Sequence, residues 1–137
     1  MMRPLHLTAV LLSRFGLAAS YLSSVVDRFG GWGHPGTPGV VWGDFQHFVA
    51  RIEALAPTPA ALAPVLAWII TVLEAVFGLS LLVGLRTRAM GVGSGCLLLA
   101  FAVATAASPG GIHAVLTSSI LSAAGASLLL ASTEGAL

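Results

Sequence analysis

PVLAWIITVLEAVFGLSLLVG, residues 64–84, is a run long and apolar enough to cross a bilayer, with a single charge, Glu74, near its middle. About 20 such residues span the hydrocarbon core as a helix. A carboxylate at that depth is costly, so it normally turns toward a bundle interior and finds a partner. Working outward, three further segments qualify as spans: Leu5–Val26, Ala89–Ala107 and Ile112–Ala131. Leu5–Val26 also carries one interior charge, Arg14.

Composition agrees with this reading. The 137 residues are 57% hydrophobic and 8% charged, with a mean hydropathy of +0.97. A water-soluble domain carries roughly a quarter charged residues. The expected fold is therefore all-α: a single membrane domain over residues 1–137, built as an integral four-helix bundle with spans at about 5–26, 64–84, 89–107 and 112–131. Residues 27–63 form a long external loop between spans one and two. Net charge is +1, with no lysine and no basic footprint for nucleic acid. Cys96 is the only cysteine and lies in an apolar run, which excludes an intrachain disulfide or a CxxC redox pair. Arg14 interrupts what would otherwise resemble a signal-peptide core, so the first segment reads as a retained span.

The arginines near span ends orient the chain. Arg3 and the Arg86/Arg88 pair fall on one side, which the positive-inside rule assigns to the cytoplasm of a bacterial inner membrane. Both termini are then cytoplasmic and the long loop is outside, although the loop itself carries Arg28 and Arg51.

Arg14 lies nine residues beyond Leu5, and Glu74 ten residues before Gly84. At ~1.5 Å per residue both fall about 14–15 Å from the cytoplasmic ends of antiparallel helices, the equal depth a salt bridge requires. An Arg14–Glu74 pair is therefore expected, either as a purely structural clamp or as the wall of a pocket. In the pocket reading Glu74 exchanges protons and Arg14 binds an anion or carbonyl. Arg14, Tyr21, Ser24 and Arg28 share one side of the first helix; Ala67, Thr71, Glu74 and Gly78 share a stripe on the second. Gly91 and Gly95 make a GxxxG whose simplest use is packing within the chain.

The loop opens with Phe29-Gly-Gly-Trp-Gly-His-Pro-Gly-Thr-Pro-Gly-Val-Val-Trp42, too rich in glycine and proline for regular helix. Beyond it, Phe45, Phe48, Val49, Ile52 and Leu55 follow helical spacing, with Asp44 as N-cap and Pro57 and Pro59 as terminators. A short amphipathic helix on the outer surface is expected. Trp32, Trp42 and Trp68 gather near that interface, as an aromatic belt or as a wall for a flat ligand. His34, Asp44 and His47 do not complete a metal site, and none is expected.

Arg14-Phe-Gly-Leu-Ala, Val26-Asp-Arg-Phe-Gly-Gly-Trp-Gly33, Val41-Trp-Gly-Asp-Phe45, Ala67-Trp68 through Glu74 to Gly78, and Leu82-Val-Gly-Leu-Arg-Thr-Arg88 together resemble the DoxX family. That resemblance implies a four-helix membrane protein related to the membrane subunit of a thiosulfate:quinone oxidoreductase. It carries over Arg14, Asp27, Arg28, Trp42, Glu74, Arg86 and Arg88, without a fixed catalytic role for any of them. It makes a quinone the expected ligand, a redox complex the expected protein partner, and an oxidoreductase subunit the expected activity. Arg14, Tyr21, Asp27, Arg28, Trp42, Trp68, Thr71 and Glu74 are then the candidate ligand-binding residues. The alternative is a non-catalytic scaffold or assembly factor that anchors a partner through the loop. A carrier is disfavoured, because the sequence shows no inverted repeat or broken span.

Overall fold

The structure is a computed structural model and describes residues 2–55 and 59–133. Those residues fold into six helices without strands: α1 Met2–Arg28, α2 Phe45–Leu55, α3 Ala63–Val83, α4 Thr87–Ala106, α5 Gly111–Thr117 and α6 Ile120–Ser132. Helices α1, α3 and α4 are each long and apolar enough to cross a membrane. Leu12, Val65, Val72, Val83, Val103 and Leu129 stay exposed on the outside of the bundle, the arrangement a lipid-facing surface requires. The chain is a multi-pass helical membrane protein.

Local chemistry sets the helix ends. Pro64 sits in the first turn of α3, where its missing N–H costs nothing. Gly84 ends that helix in the left-handed conformation (φ 79°) and returns its N–H to the Ser80 carbonyl. Arg86 follows at φ 49°, so two left-handed residues make the tight turn into α4.

α1 packs chiefly on α3, and α4 chiefly on α6; α3–α4 and α1–α6 contacts close the ring. Glycine permits two of these approaches. A Cβ at Gly78 would come within 2.8 Å of Leu22 on α1, and one at Gly91 within 2.9 Å of the Ser127 carbonyl on α6. The Gly91/Gly95 pair thus serves contact inside the chain. The main core gathers Val10, Leu17, Tyr21, Phe77, Leu81 and Leu130. A second cluster lies under α2, where Phe48, Val49 and Ile52 pack on Ala63 and Ala67 of α3. The amphipathic helix expected in the loop therefore exists and lids the bundle. Asp44 caps it, accepting the His47 backbone N–H at 2.9 Å. Pro57, one of its expected terminators, lies outside the described residues.

The fourth span is not continuous. α5 and α6 meet at 57° across Ser118 and Ser119, although neither proline nor glycine stands there. Ser118 leaves the helix at φ −93°, ψ 167°, and its hydroxyl donates back to the Val115 carbonyl. Consecutive Thr117, Ser118 and Ser119 hydroxyls offer the backbone alternative partners, which is how a serine run breaks a helix. The unbroken span expected at 112–131 is corrected accordingly.

Candidate functional site

The two buried charges read from the sequence do not pair with each other. Arg14 is buried, but its Nε donates to the Leu81 carbonyl at 2.8 Å and its Nη2 to that of Leu82 at 3.4 Å. These are among the last four carbonyls of α3, which have no partner within the helix and form the negative end of its dipole. Arg14 thus caps α3. The equal-depth argument failed because α1 and α3 do not start from a common plane. Arg14 lies opposite Leu81, seven residues and about 10 Å along α3 from Glu74.

Glu74 is met instead by Arg28, the last residue of α1. Arg28 Nη2 lies 2.5 Å from Glu74 Oε2, with both side chains buried. The same guanidinium donates from Nη1 to Thr71 Oγ1 (3.0 Å) and from Nη2 to Ser24 Oγ (3.2 Å). Its Cζ stands 3.6 Å from the centre of the Phe48 ring, a cation–π contact. The Thr71 hydroxyl in turn donates a hydrogen bond to the Ala67 carbonyl. Arg28 Nε is buried without a hydrogen-bond partner among the described residues. One cation therefore joins α1, α3 and α2.

Asp27, one residue earlier, fastens the loop. Its Oδ2 accepts the backbone N–H of Val41 (2.9 Å) and Trp42 (3.0 Å), and its Oδ1 that of Gly43 (3.4 Å). Three successive amides converge on one carboxylate, a geometry that pins residues 41–43 to the end of α1. Gly43 sits at φ 76° with Pro35 against it, so no side chain fits there.

The remaining candidates separate into different places. The Tyr21 hydroxyl donates to the Ser94 carbonyl of α4 at 3.1 Å, inside the bundle. Trp42 packs edge-on against Phe48, whereas Trp68 packs with Phe45 and Phe29, at 4.5 and 5.9 Å between centroids. Phe45 and Phe48 are themselves 6.2 Å apart, so Trp42 and Trp68 belong to one connected aromatic cluster. Asp44 Oδ1 and His47 Nδ1 are 2.7 Å apart on the exposed face of α2; His47's hydrogen bond holds the Asp44 carboxyl below the usual carboxylate range. Among the described residues, no three His, Cys, Asp or Glu side chains converge as a metal site would need.

Sequence reasoning placed Arg28 on the correct face of α1 but missed it as the partner of Glu74. It named Asp27 as a candidate ligand contact and missed that the same carboxylate anchors the loop. The available signal was the Asp27-Arg28 doublet at the boundary between an apolar run and a glycine-rich loop.

Fold and site together define a small helical membrane protein whose interhelical loop is fixed to its bundle by buried charge. The family described as methylamine utilisation protein MauE matches residues 6–110, taking in Arg14, Asp27, Arg28, Glu74 and the whole loop, and the chain belongs to that family. The match overturns the DoxX resemblance. The segments that suggested it are mostly small apolar residues and glycine turns, which short spans of unrelated membrane families share. No curated protein and no solved structure matches the chain.

Proposed function

We propose that this chain is a membrane accessory protein of an amine-utilisation system, presenting its loop and α2 as a preformed docking surface to a redox protein partner. Family membership supports the setting. Where such a system oxidises the carbon–nitrogen bond of its amine, the partner handles electrons. The observation that carries the reading is the Asp27 carboxylate holding the amides of residues 41–43. It makes the cap rigid in advance, which lowers the ordering cost of binding. Val41 and Trp32 stand exposed on that cap, and Asp44 and His47 line the outer side of α2. The quinone role that accompanied the DoxX resemblance loses its two hydrogen-bonding residues, since Arg14 and Tyr21 are committed to backbone carbonyls.

In this reading the protein lies in a bacterial inner membrane with both termini in the cytoplasm. Arg3, Arg86 and Arg88 are exposed at the end opposite the cap, so the cap faces outward. The test is photo-crosslinking from a reactive residue at Val41 in native membranes. One component of the amine-oxidising system should be captured, and capture should fall at least tenfold in Asp27→Ala. Capture of no such component, or equal capture by both proteins, overturns the proposal.

A further inference from the structure

Between the outer half of α1 and the returning loop lies a cleft of about 300 Å³, lined by Ser20, Ser23, Ser24, Asp27, Trp32 and Trp42. Its chemistry is one-sided. The Asp27 carboxylate only accepts, and the serine hydroxyls keep acceptor capacity beside their own O–H, even though Ser24 and Ser23 already accept from Arg28 and Trp32. The Trp32 indole N–H is already given to the Ser23 carbonyl and hydroxyl, both at 3.1 Å. Arg28 turns away to Glu74 and Thr71. A carboxylate offers roughly four acceptor positions. Asp27 fills three, and the third, to Gly43, is long at 3.4 Å, which leaves Oδ1 with capacity to spare.

The charge balance points the same way. The buried ionisable side chains at this end of the bundle are Asp27, Arg28 and Glu74, two carboxylates against one guanidinium; Arg14 is committed to the far end of α3. An anion would meet the Asp27 carboxylate, whereas a cation would relieve the excess. The two tryptophans on the walls supply no metal ligand and suit an apolar carbon substituent, so the cleft fits an organic cation better than a metal ion.

We infer that this cleft binds a small primary ammonium group, with Asp27 as its counter-ion, the α1 serines as acceptors for its N–H bonds, and Trp32 and Trp42 around its carbon substituent. The group can be presented by a free alkylamine or by the headgroup of phosphatidylethanolamine. The site requires no partner protein, so it stands or falls separately from the docking role.

The experiment uses the full chain in phosphatidylglycerol nanodiscs, titrated with methylammonium chloride while tryptophan emission is followed, with potassium chloride at equal concentration as the ionic control. The expected result is a saturable change with methylammonium alone, weakened at least tenfold in Trp32→Leu and in Asp27→Asn. Trp32 is 58% exposed, so its variant keeps the fold if Asp27→Asn does not. Repeating the titration with phosphatidylethanolamine in the disc separates the sources. Weakened methylammonium binding shows that the headgroup takes the same site, and unchanged binding shows that the free amine is its occupant. No saturable change, an equal response to potassium, or wild-type affinity in Trp32→Leu overturns the inference.

Discussion

Arg28 of α1 and Glu74 of α3 form a buried ion pair, and the face of the same guanidinium lies against Phe48 of α2. The contact joining the first two spans is therefore also the contact seating the cap. Each partner is desolvated, so each depends on the other for compensation.

Removing Glu74 alone should leave a buried guanidinium unpaired. Glu74→Leu and Arg28→Met are each expected to destabilise the bundle by about 3–5 kcal/mol, and the two together by less than either alone. Unfolding in mild detergent with increasing denaturant gives the cycle. Strictly additive single and double mutants would contradict the pairing.

Arg14 should behave independently. Arg14→Ala loses two charge-assisted bonds to the end of α3 and is expected to cost about 1.5–3 kcal/mol. Its combination with Glu74→Ala should be additive within about 0.5 kcal/mol, because the two side chains share no partner. A coupling energy above about 1 kcal/mol would restore the pairing that the sequence suggested.

Asp27→Ala should free the loop while sparing the spans. Hydrogen exchange at the amides of Val41, Trp42 and Gly43 is expected to accelerate by roughly 10–100-fold, corresponding to about 1.4–2.7 kcal/mol of local stability. Protection in α3 and α4 should hold. Unchanged exchange at all three amides would show that the carboxylate does not fasten them.

The α2 cap carries a pH signature. Asp44 sits below its ordinary range because of the His47 side chain, so the ionised form is favoured by folding. The cap's contribution is present above the unfolded value, about 3.9, and is lost as pH falls through the lower folded value. Both side chains are exposed and the effect on global stability is small, so the readout is the titration of the Asp44 carboxyl by NMR. A midpoint at or above the ordinary value would refute it.

Two glycines make a matched comparison. Gly91→Ala drives a Cβ to 2.9 Å from the Ser127 carbonyl and should cost about 1–3 kcal/mol by separating α4 from α6. Gly125→Ala meets nothing within 4 Å and should be neutral or stabilising. Equal melting of the two variants would remove the close α4–α6 approach.

The spans, the amphipathic helix and its Asp44 cap were legible because each rests on local pattern: apolar runs, 3.6-residue spacing and a side chain reaching its own helix. The faces were legible too, since Arg14, Tyr21 and Arg28 do share the inward side of α1. What the pattern lacked was register. Two antiparallel helices can slide by turns without changing their faces, and the packing between them, Gly78 against Leu22 included, sets the offset that gives Glu74 to Arg28. The break at Ser118–Ser119 was hidden for a different reason: a serine run is compatible with helix, and the bend comes from the hydroxyls competing for backbone carbonyls.

Arg28 is made long before its partner. Glu74 follows it by 46 residues, a delay of roughly 2–9 s at ordinary synthesis rates of 5–20 residues per second. Through that interval the Arg28 guanidinium has no Glu74 to pair with. Arg28 must wait at the lipid–water boundary, where its long stem lets the charge stay wet. Its pairing with Glu74 then coincides with the arrival of the second span. The ion pair therefore cannot close before α3 is in place.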